Sequence, residues 1–190
     1  MPEFILLHWP VITQVVIGVS LFMLVWSYLP VIWGAPWVPS SLGTVKKMLQ
    51  MAEVTSGQKV VDLGAGDGRI VIVAARLFGA QAVGVEIDPI RCLIANSLIC
   101  MLGLRKKAHV YHSNMCDFDL SDVDVVTVYL LQGTNQKIKD WLGEQLPSGA
   151  KIVSHSFSMD GWMPSAIDDT KNIFMYEIGK AGADVQTRFV

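Results

Sequence analysis

The chain of 190 residues reads as an α/β protein built on a doubly wound, mostly parallel sheet. Three observations predict this class. Short strand-like apolar runs alternate with helical segments from Lys59 to Leu146. The run from Val123 to Leu130, Val-Asp-Val-Val-Thr-Val-Tyr-Leu, is nearly continuous and apolar, as a strand covered on both faces is. The strand Lys59 to Leu63 breaks into a glycine turn, Gly64-Ala65-Gly66-Asp67-Gly68, which opens straight into a helix.

The elements follow in order. No Asp, Glu, Lys or Arg lies between Glu3 and Lys46. Within that span, Val11 to Leu29 is a mostly apolar stretch of nineteen residues. As a helix it rises roughly 28 Å, close to the hydrocarbon thickness of a bilayer. Trp9 and Pro10 flank one end, and Tyr28, Trp33 and Trp37 the other. A cleaved signal peptide fits poorly, because no Lys or Arg precedes the apolar run and no Ala-x-Ala site follows it. A buried core helix would need a polar face, and none is visible. The expectation is one N-terminal transmembrane helix and a single-pass membrane protein in contact with the lipid bilayer. Residues 1–33 would form the anchor, 34–44 the linker and the segment ahead of the glycine motif, and 45–190 the main domain. Lys46 and Lys47, just past the apolar stretch, favour a cytoplasmic (or matrix-facing) position for that domain.

Ser40 or Ser41 can cap a helix running to about Val54, with Val45, Met48, Leu49 and Ala52 on one face. Arg69 to Phe78 is helical and stops at Gly79. Ala82 to Glu86 is the second strand. Asp88-Pro89 starts a helix, a capping carboxylate followed by proline in the first turn, which runs to about Leu102. Ala108 to His112 is the third strand and Val123 to Leu130 the fourth. Ile138 to Leu146 is helical and Lys151 to Phe157 is the fifth strand. The last two strands, Ala166 to Asp169 and Ile173 to Ile178, have no helix between them and form a hairpin.

Composition narrows the function. Hydrophobic content is 52% and mean hydropathy is +0.42, with the excess concentrated at the N-terminus. Net charge is −2, and no basic run exceeds Arg105-Lys106-Lys107, so nothing resembles a nucleic-acid surface. Cys92, Cys100 and Cys116 include no Cys-x-x-Cys pair and read as apolar fillers; no metal is expected.

Ligands of open α/β sheets sit outside the strand carboxyl ends. That rim carries Gly64 to Gly68, Glu86, Ser113-Asn114-Met115 and Tyr129-Leu130-Leu131. The Gly-x-Gly-x-Gly spacing differs from the Gly-x-Gly-x-x-Gly of dinucleotide sites. Glu86, twenty positions beyond Gly66, suits a ribose diol, since a carboxylate accepts both hydroxyl hydrogens.

Val61-Asp62-Leu63-Gly64-Ala65-Gly66-Asp67-Gly68 followed by Val83-Gly84-Val85-Glu86-Ile87-Asp88 resembles the class I S-adenosylmethionine-dependent methyltransferases. The resemblance implies a Rossmann-like sheet of order 3-2-1-4-5-7-6 with an antiparallel seventh strand, and S-adenosyl-L-methionine as cofactor. It casts Asp62, Gly64, Ala65, Gly66, Asp67, Gly68, Glu86, Ile87, Asn114 and Met115 as its contacts. A narrower resemblance rests on Trp37-Val38-Pro39-Ser40-Ser41, Val126-Thr127-Val128-Tyr129-Leu130-Leu131, Val153-Ser154-His155-Ser156-Phe157 and Gly161-Trp162-Met163-Pro164. Together with the glycine motif these look like small protein-lysine methyltransferases that have a soluble archaeal and a membrane-anchored mitochondrial branch, the latter modifying inner-membrane proteins. In that family the segment Trp37 to Ser40 closes over the donor and the entering lysine. Gln132-Gly133 departs from the family's less glycine-rich continuation after strand four.

A lysine acceptor must lose a proton before it attacks, at a cost of roughly 4.6 kcal/mol at pH 7. Burial against aromatics lowers that cost. Trp37, Tyr129 and Trp162 are candidate walls, Asp117 a candidate partner for an incoming ammonium, and His155 a candidate base. Trp37, Tyr129 and Asp117 are the expected catalytic residues. The expected partner is a protein lysine, with no nucleic acid. Two alternatives stay open at this level: a small or membrane-dissolved acceptor, and a non-catalytic module that binds the donor only.

Overall fold

The computed structural model describes residues 2–28 and 39–179, with side chains described for 9–25 and 39–179. The chain divides into two compact units, Met1–Val38 and Pro39–Val190.

The first unit contains helix α1, Pro2–Tyr28, with Pro10 inside it. Thr13 donates its hydroxyl to the carbonyls of Trp9 and Pro10 at 3.0 and 2.9 Å. The large apolar side chains described on α1 are exposed, among them Val11, Val15, Ile17, Phe22 and Leu24. The structure corrects the sequence expectation here: among the described residues, no helix is long and apolar enough to cross a membrane. A helical span takes about 20 consecutive, predominantly apolar residues, and no helix among the described residues supplies one. The transmembrane anchor, its bilayer contact and the single-pass localisation are set aside, and the orientation inferred from Lys46 and Lys47 falls with them. Residues 29–38, which hold Trp33, Trp37 and the first part of the expected linker, lie outside the described residues.

The second unit begins at Pro39. Ser41 caps helix α2, Leu42–Met51, by accepting the Thr44 N–H, and the helix buries Thr44, Val45, Met48 and Leu49. Strand β1, Lys59–Leu63, leads through the glycine turn into α3, Arg69–Val73, which continues as a π-helical turn Ala74–Phe78. Next come β2 Gln81–Glu86, α4 Pro89–Met101 and β3 Ala108–His112. A 3-10 turn at Met115–Asp117 precedes β4 Val125–Val128. The chain continues with α5 Gln132–Gln145, β5 Lys151–His155, β6 Ala166–Asp168 and β7 Ile173–Glu177.

The seven strands form one sheet in the order β3-β2-β1-β4-β5-β7-β6, as the resemblance implied. Strands β1 to β5 pair in parallel and β7 runs antiparallel between β5 and β6. Leu63 is in register with Val85 on one side and Val128 on the other, and Val128 with Ser154. This register brings the loops after β1, β2, β4 and β5 out along one rim. Val60, Val61, Leu63, Val125, Val126, Val128, Ile152 and Val153 are all buried, each contributing about 1.5–3 kcal/mol.

Two elements differ in extent from their sequence reading. β4 is shorter than Val123 to Leu130, leaving Tyr129 and Leu130 to turn onto the rim. α5 begins at Gln132 rather than Ile138. Its first turns, which include an exposed Gly133, are held by side chains: Gln132 donates to Asp160, and Asn135 to Ser154 Oγ and the Phe157 carbonyl.

Gly84 lies where the sheet meets α3. A Cβ there would stand 2.6 Å from the Ala65 Cβ, 2.9 Å from Val110 Cγ2 and 3.1 Å from Val71 Cγ2. Gly84→Ala is expected to cost about 1–3 kcal/mol by overpacking, read from urea denaturation midpoints; an unchanged midpoint would contradict this packing.

Candidate active site

The glycine turn is fixed to the strand beside it. Gly64 and Ala65 both donate their N–H to the Val85 carbonyl, at 2.8 and 3.1 Å. Gly64, Gly66 and Gly68 all take positive φ, at 83°, 56° and 75°. A Cβ on Gly64 would lie 2.9 Å from Leu130 Cδ2, so only glycine lets the two rim loops approach this closely.

Glu86 closes the other side and is only 6% exposed. Its Oε2 accepts the Gly66 N–H at 2.8 Å and its Oε1 accepts the Asp88 N–H at 3.0 Å. Each oxygen keeps a second lone pair, so the carboxylate is oriented by the backbone and still able to accept two hydroxyl hydrogens. Asp88 in turn caps α4 through the N–H groups of Ile90 and Arg91.

Asp62 is buried at the end of β1, and Thr127 donates its hydroxyl to it at 2.8 Å. Burial pushes the Asp62 carboxyl up to about 7, against the Thr127 hydrogen bond; the charges of Glu86 and Asp67 push the same way as burial. Asp67 pairs with Arg69, at 2.6 Å from Nη2 and 2.9 Å from Nε. That pairing holds the Asp67 carboxyl below its usual range despite partial burial. Arg69 also donates through Nη1 to the Ser40 carbonyl.

The remaining expected residues are spread along the rim. Ile87 is 41% exposed, and its carbonyl lies 3.0 Å from His112 Nε2. Asn114 uses its side-chain oxygen to accept the Cys116 N–H, which leaves its amide hydrogens for a ligand. Met115 follows, half-buried, in the 3-10 turn. Asp117 is exposed on the same turn, and among the described residues no hydrogen bond joins it to Tyr129. Tyr129, half-buried, packs against His155 with ring centroids 4.2 Å apart and ring planes tilted by 46°. Trp162 is no wall: it is 7% exposed and packs edge-on against Tyr176 in the core. Trp37 lies outside the described residues.

Sequence reading left out Thr127 and Arg69, and it reached Ser40 only through the family segment Trp37 to Ser40. Thr127 carried a signal, a lone hydroxyl among the valines of β4. The other two act through contacts that bridge segments far apart in sequence, which no local pattern reports.

The residues present fit a sulfonium nucleoside. The oriented carboxylate at Glu86 matches a ribose diol, the glycine turn leaves room for a close backbone approach, and Asn114 and Met115 offer polar and soft apolar contacts for a base. When bound, S-adenosylmethionine supplies an electrophilic methyl group that needs alignment and exclusion of water more than acid–base assistance. Fold and site together define a class I S-adenosylmethionine-dependent methyltransferase.

Similarity to known proteins narrows this. The ANTKMT methyltransferase domain family matches residues 62–166. A protein-lysine N-methyltransferase from Saccharolobus islandicus is 37% identical over 81% of this chain and 98% of its own length. The adenine nucleotide translocase lysine N-methyltransferase of Mus musculus is 30% identical over 80% of this chain and 67% of its length. A crystal structure described as an RNA methyltransferase from Salinibacter ruber, in complex with S-adenosyl-L-homocysteine, superposes with TM-score 0.74. It is 38% identical and covers 76% of this chain and 95% of that one. The chain belongs to the ANTKMT methyltransferase domain family, and its cofactor is S-adenosyl-L-methionine.

The raised Asp62 carboxyl is expected to make donor binding pH-dependent. Below about pH 7 the free protein holds a proton on this carboxyl, and the raised value means the unliganded fold loses stability as pH rises through 7. A cationic donor favours the ionised form, so binding releases the proton and tightens from pH 6 to 8. Calorimetry of wild type against Asp62→Asn reads this as a pH dependence that the variant lacks; identical profiles would contradict it.

Proposed function

We propose that the protein transfers methyl groups from S-adenosylmethionine to lysine side chains of a membrane-associated protein. The observation that carries this reading is the 37% identity to a protein-lysine N-methyltransferase over nearly all of that relative's length. The mouse relative, whose name specifies lysine of the adenine nucleotide translocase, and the inner-membrane targets implied by the family resemblance support the finer choice of acceptor.

The rim is compatible with an amine acceptor. Burial and the nearby Lys171 hold the His155 imidazole below its ordinary value, so it is neutral at pH 7 and does not repel an incoming ammonium. Tyr129, packed against His155, offers an aromatic face that disfavours the charged amine by desolvation. In this reading Tyr129 lines the acceptor path and Asp117 receives the ammonium at its mouth. Asp62, the turn from Gly64 to Gly68, Glu86, Ile87, Asn114 and Met115 hold the donor. The catalytic domain occupies residues 45–190, preceded by the segment that ends at Ser41.

A second reading comes from the Salinibacter ruber structure, which is described as an RNA methyltransferase. The net charge of −2 and the lack of a long basic run weigh against it here. One experiment separates the readings. The full chain is incubated with tritiated donor and either membranes containing adenine nucleotide translocase or total RNA. Label in protein bands, with one-methylene mass steps on lysine, is the expected result. Label confined to RNA or to the solvent-extractable fraction would overturn the proposal.

A further inference from the structure

The segment ahead of α2 is tied to the catalytic rim at a single residue from two sides. Ser40 is 5% exposed although it lies in the non-helical segment just before the α2 cap. Its carbonyl accepts from Arg69, which is itself clamped by Asp67 of the glycine turn. Its hydroxyl lies 3.0 Å from His155 Nδ1, at the end of β5. That imidazole also packs against the ring of Tyr129, past the end of β4. A continuous path therefore runs from Asp67 through Arg69, Ser40 and His155 to Tyr129. It joins the donor loop to the residue placed on the acceptor side.

The backbone around His155 is held to make this contact. Ser156 takes φ of 70°, in the left-handed region a non-glycine residue rarely adopts, and donates its N–H to the Asn172 carbonyl at 2.7 Å. Such a conformation persists only where its surroundings over-determine it. Here it ends β5 at His155 and turns the chain away from the rim. Helix α2 does not depend on the link. It is held by its own cap at Ser41 and by Val45, Met48 and Leu49 in the core.

We propose that His155 is a positioning residue: it latches the segment at Ser40 onto the rim and sets the Tyr129 ring for the acceptor. The assignment of Tyr129 to the acceptor side rests on the lysine-methylation reading above. His155 takes no proton in this role. Its hydrogen bond with Ser40 holds residues 39–41 on the rim, and its tilted contact with Tyr129 fixes the angle of the aromatic face.

The test uses the full chain with His155→Ala, Ser40→Ala, Ser40→Thr and the double alanine variant. Three readouts are taken: calorimetric Kd for S-adenosylmethionine, KM and kcat on membranes containing adenine nucleotide translocase, and hydrogen–deuterium exchange across residues 39–45. Each single alanine variant is expected to speed exchange in 39–45 and raise the acceptor KM about tenfold, with donor Kd within about twofold of wild type. The double variant is expected to be no worse than either single one, and Ser40→Thr, which keeps the hydroxyl, to recover the wild-type values. Losses that multiply in the double variant, or alanine variants with wild-type exchange and KM, would overturn the latch. If wild type methylates no lysine, the functional reading fails separately, and exchange in 39–45 still decides whether Ser40 and His155 form a latch.

Discussion

Glu86 is the point on which the site turns. A carboxylate buried at the end of β2 accepts one backbone N–H from the glycine turn and one from the start of α4. Burying a charged group is costly unless it is hydrogen-bonded, and here both oxygens are partnered by peptide groups that the fold already positions. The two loops that frame the donor are thereby referenced to a single side chain. Everything else on the rim is placed relative to that frame: Asp62 and Thr127 behind the turn, Leu130 against Gly64, and the Arg69–Asp67 pair at its outer edge.

The sheet register makes this arrangement general and the rim contacts make it particular. Parallel pairing of β1 with β2 and β4 lines up the strand ends, so any chain with this topology presents its loops on one side. This chain then adds a buried acid with a raised titration point beside the glycine turn, and an imidazole between Ser40 and Tyr129. Methyl transfer from a sulfonium asks for alignment more than for proton transfer. A site built from oriented acceptors and closely packed rings suits that demand.

Much of this could be read from the residues. Gly64, Gly66 and Gly68 between an apolar strand and a helix, with Glu86 one strand later, marked two rim loops that the structure joins through the Gly66–Glu86 hydrogen bond, because glycine spacing and strand ends are local signals. Asp88-Pro89 marked the start of α4 to the residue. The acceptor side was harder. Ser40 meets His155 across a separation of 115 residues, and no periodicity reports such a contact. Trp162 looked like a site aromatic and is core, because an indole in a loop motif carries no mark of which side it faces. The early start of α5 escaped for a related reason: Gln132-Gly133 is a poor helix opening on propensity, and partners on the Phe157–Asp160 loop secure it. The apolar N-terminus misled most. A charge-free stretch reads as a membrane span from hydropathy alone, while among the described residues no helix meets the length and apolarity that crossing requires.

The most direct measurement is the affinity of S-adenosylmethionine for Glu86→Gln by calorimetry, alongside the thermal stability of the same variant. Glutamine has nearly the same shape but only one accepting oxygen, so its amide group would meet a backbone N–H where Glu86 now accepts one. The structure predicts donor binding weaker by about 1.5–3 kcal/mol, roughly ten- to a hundredfold, in a protein that still folds. Affinity equal to wild type in the folded variant would contradict the placement of the donor against this carboxylate.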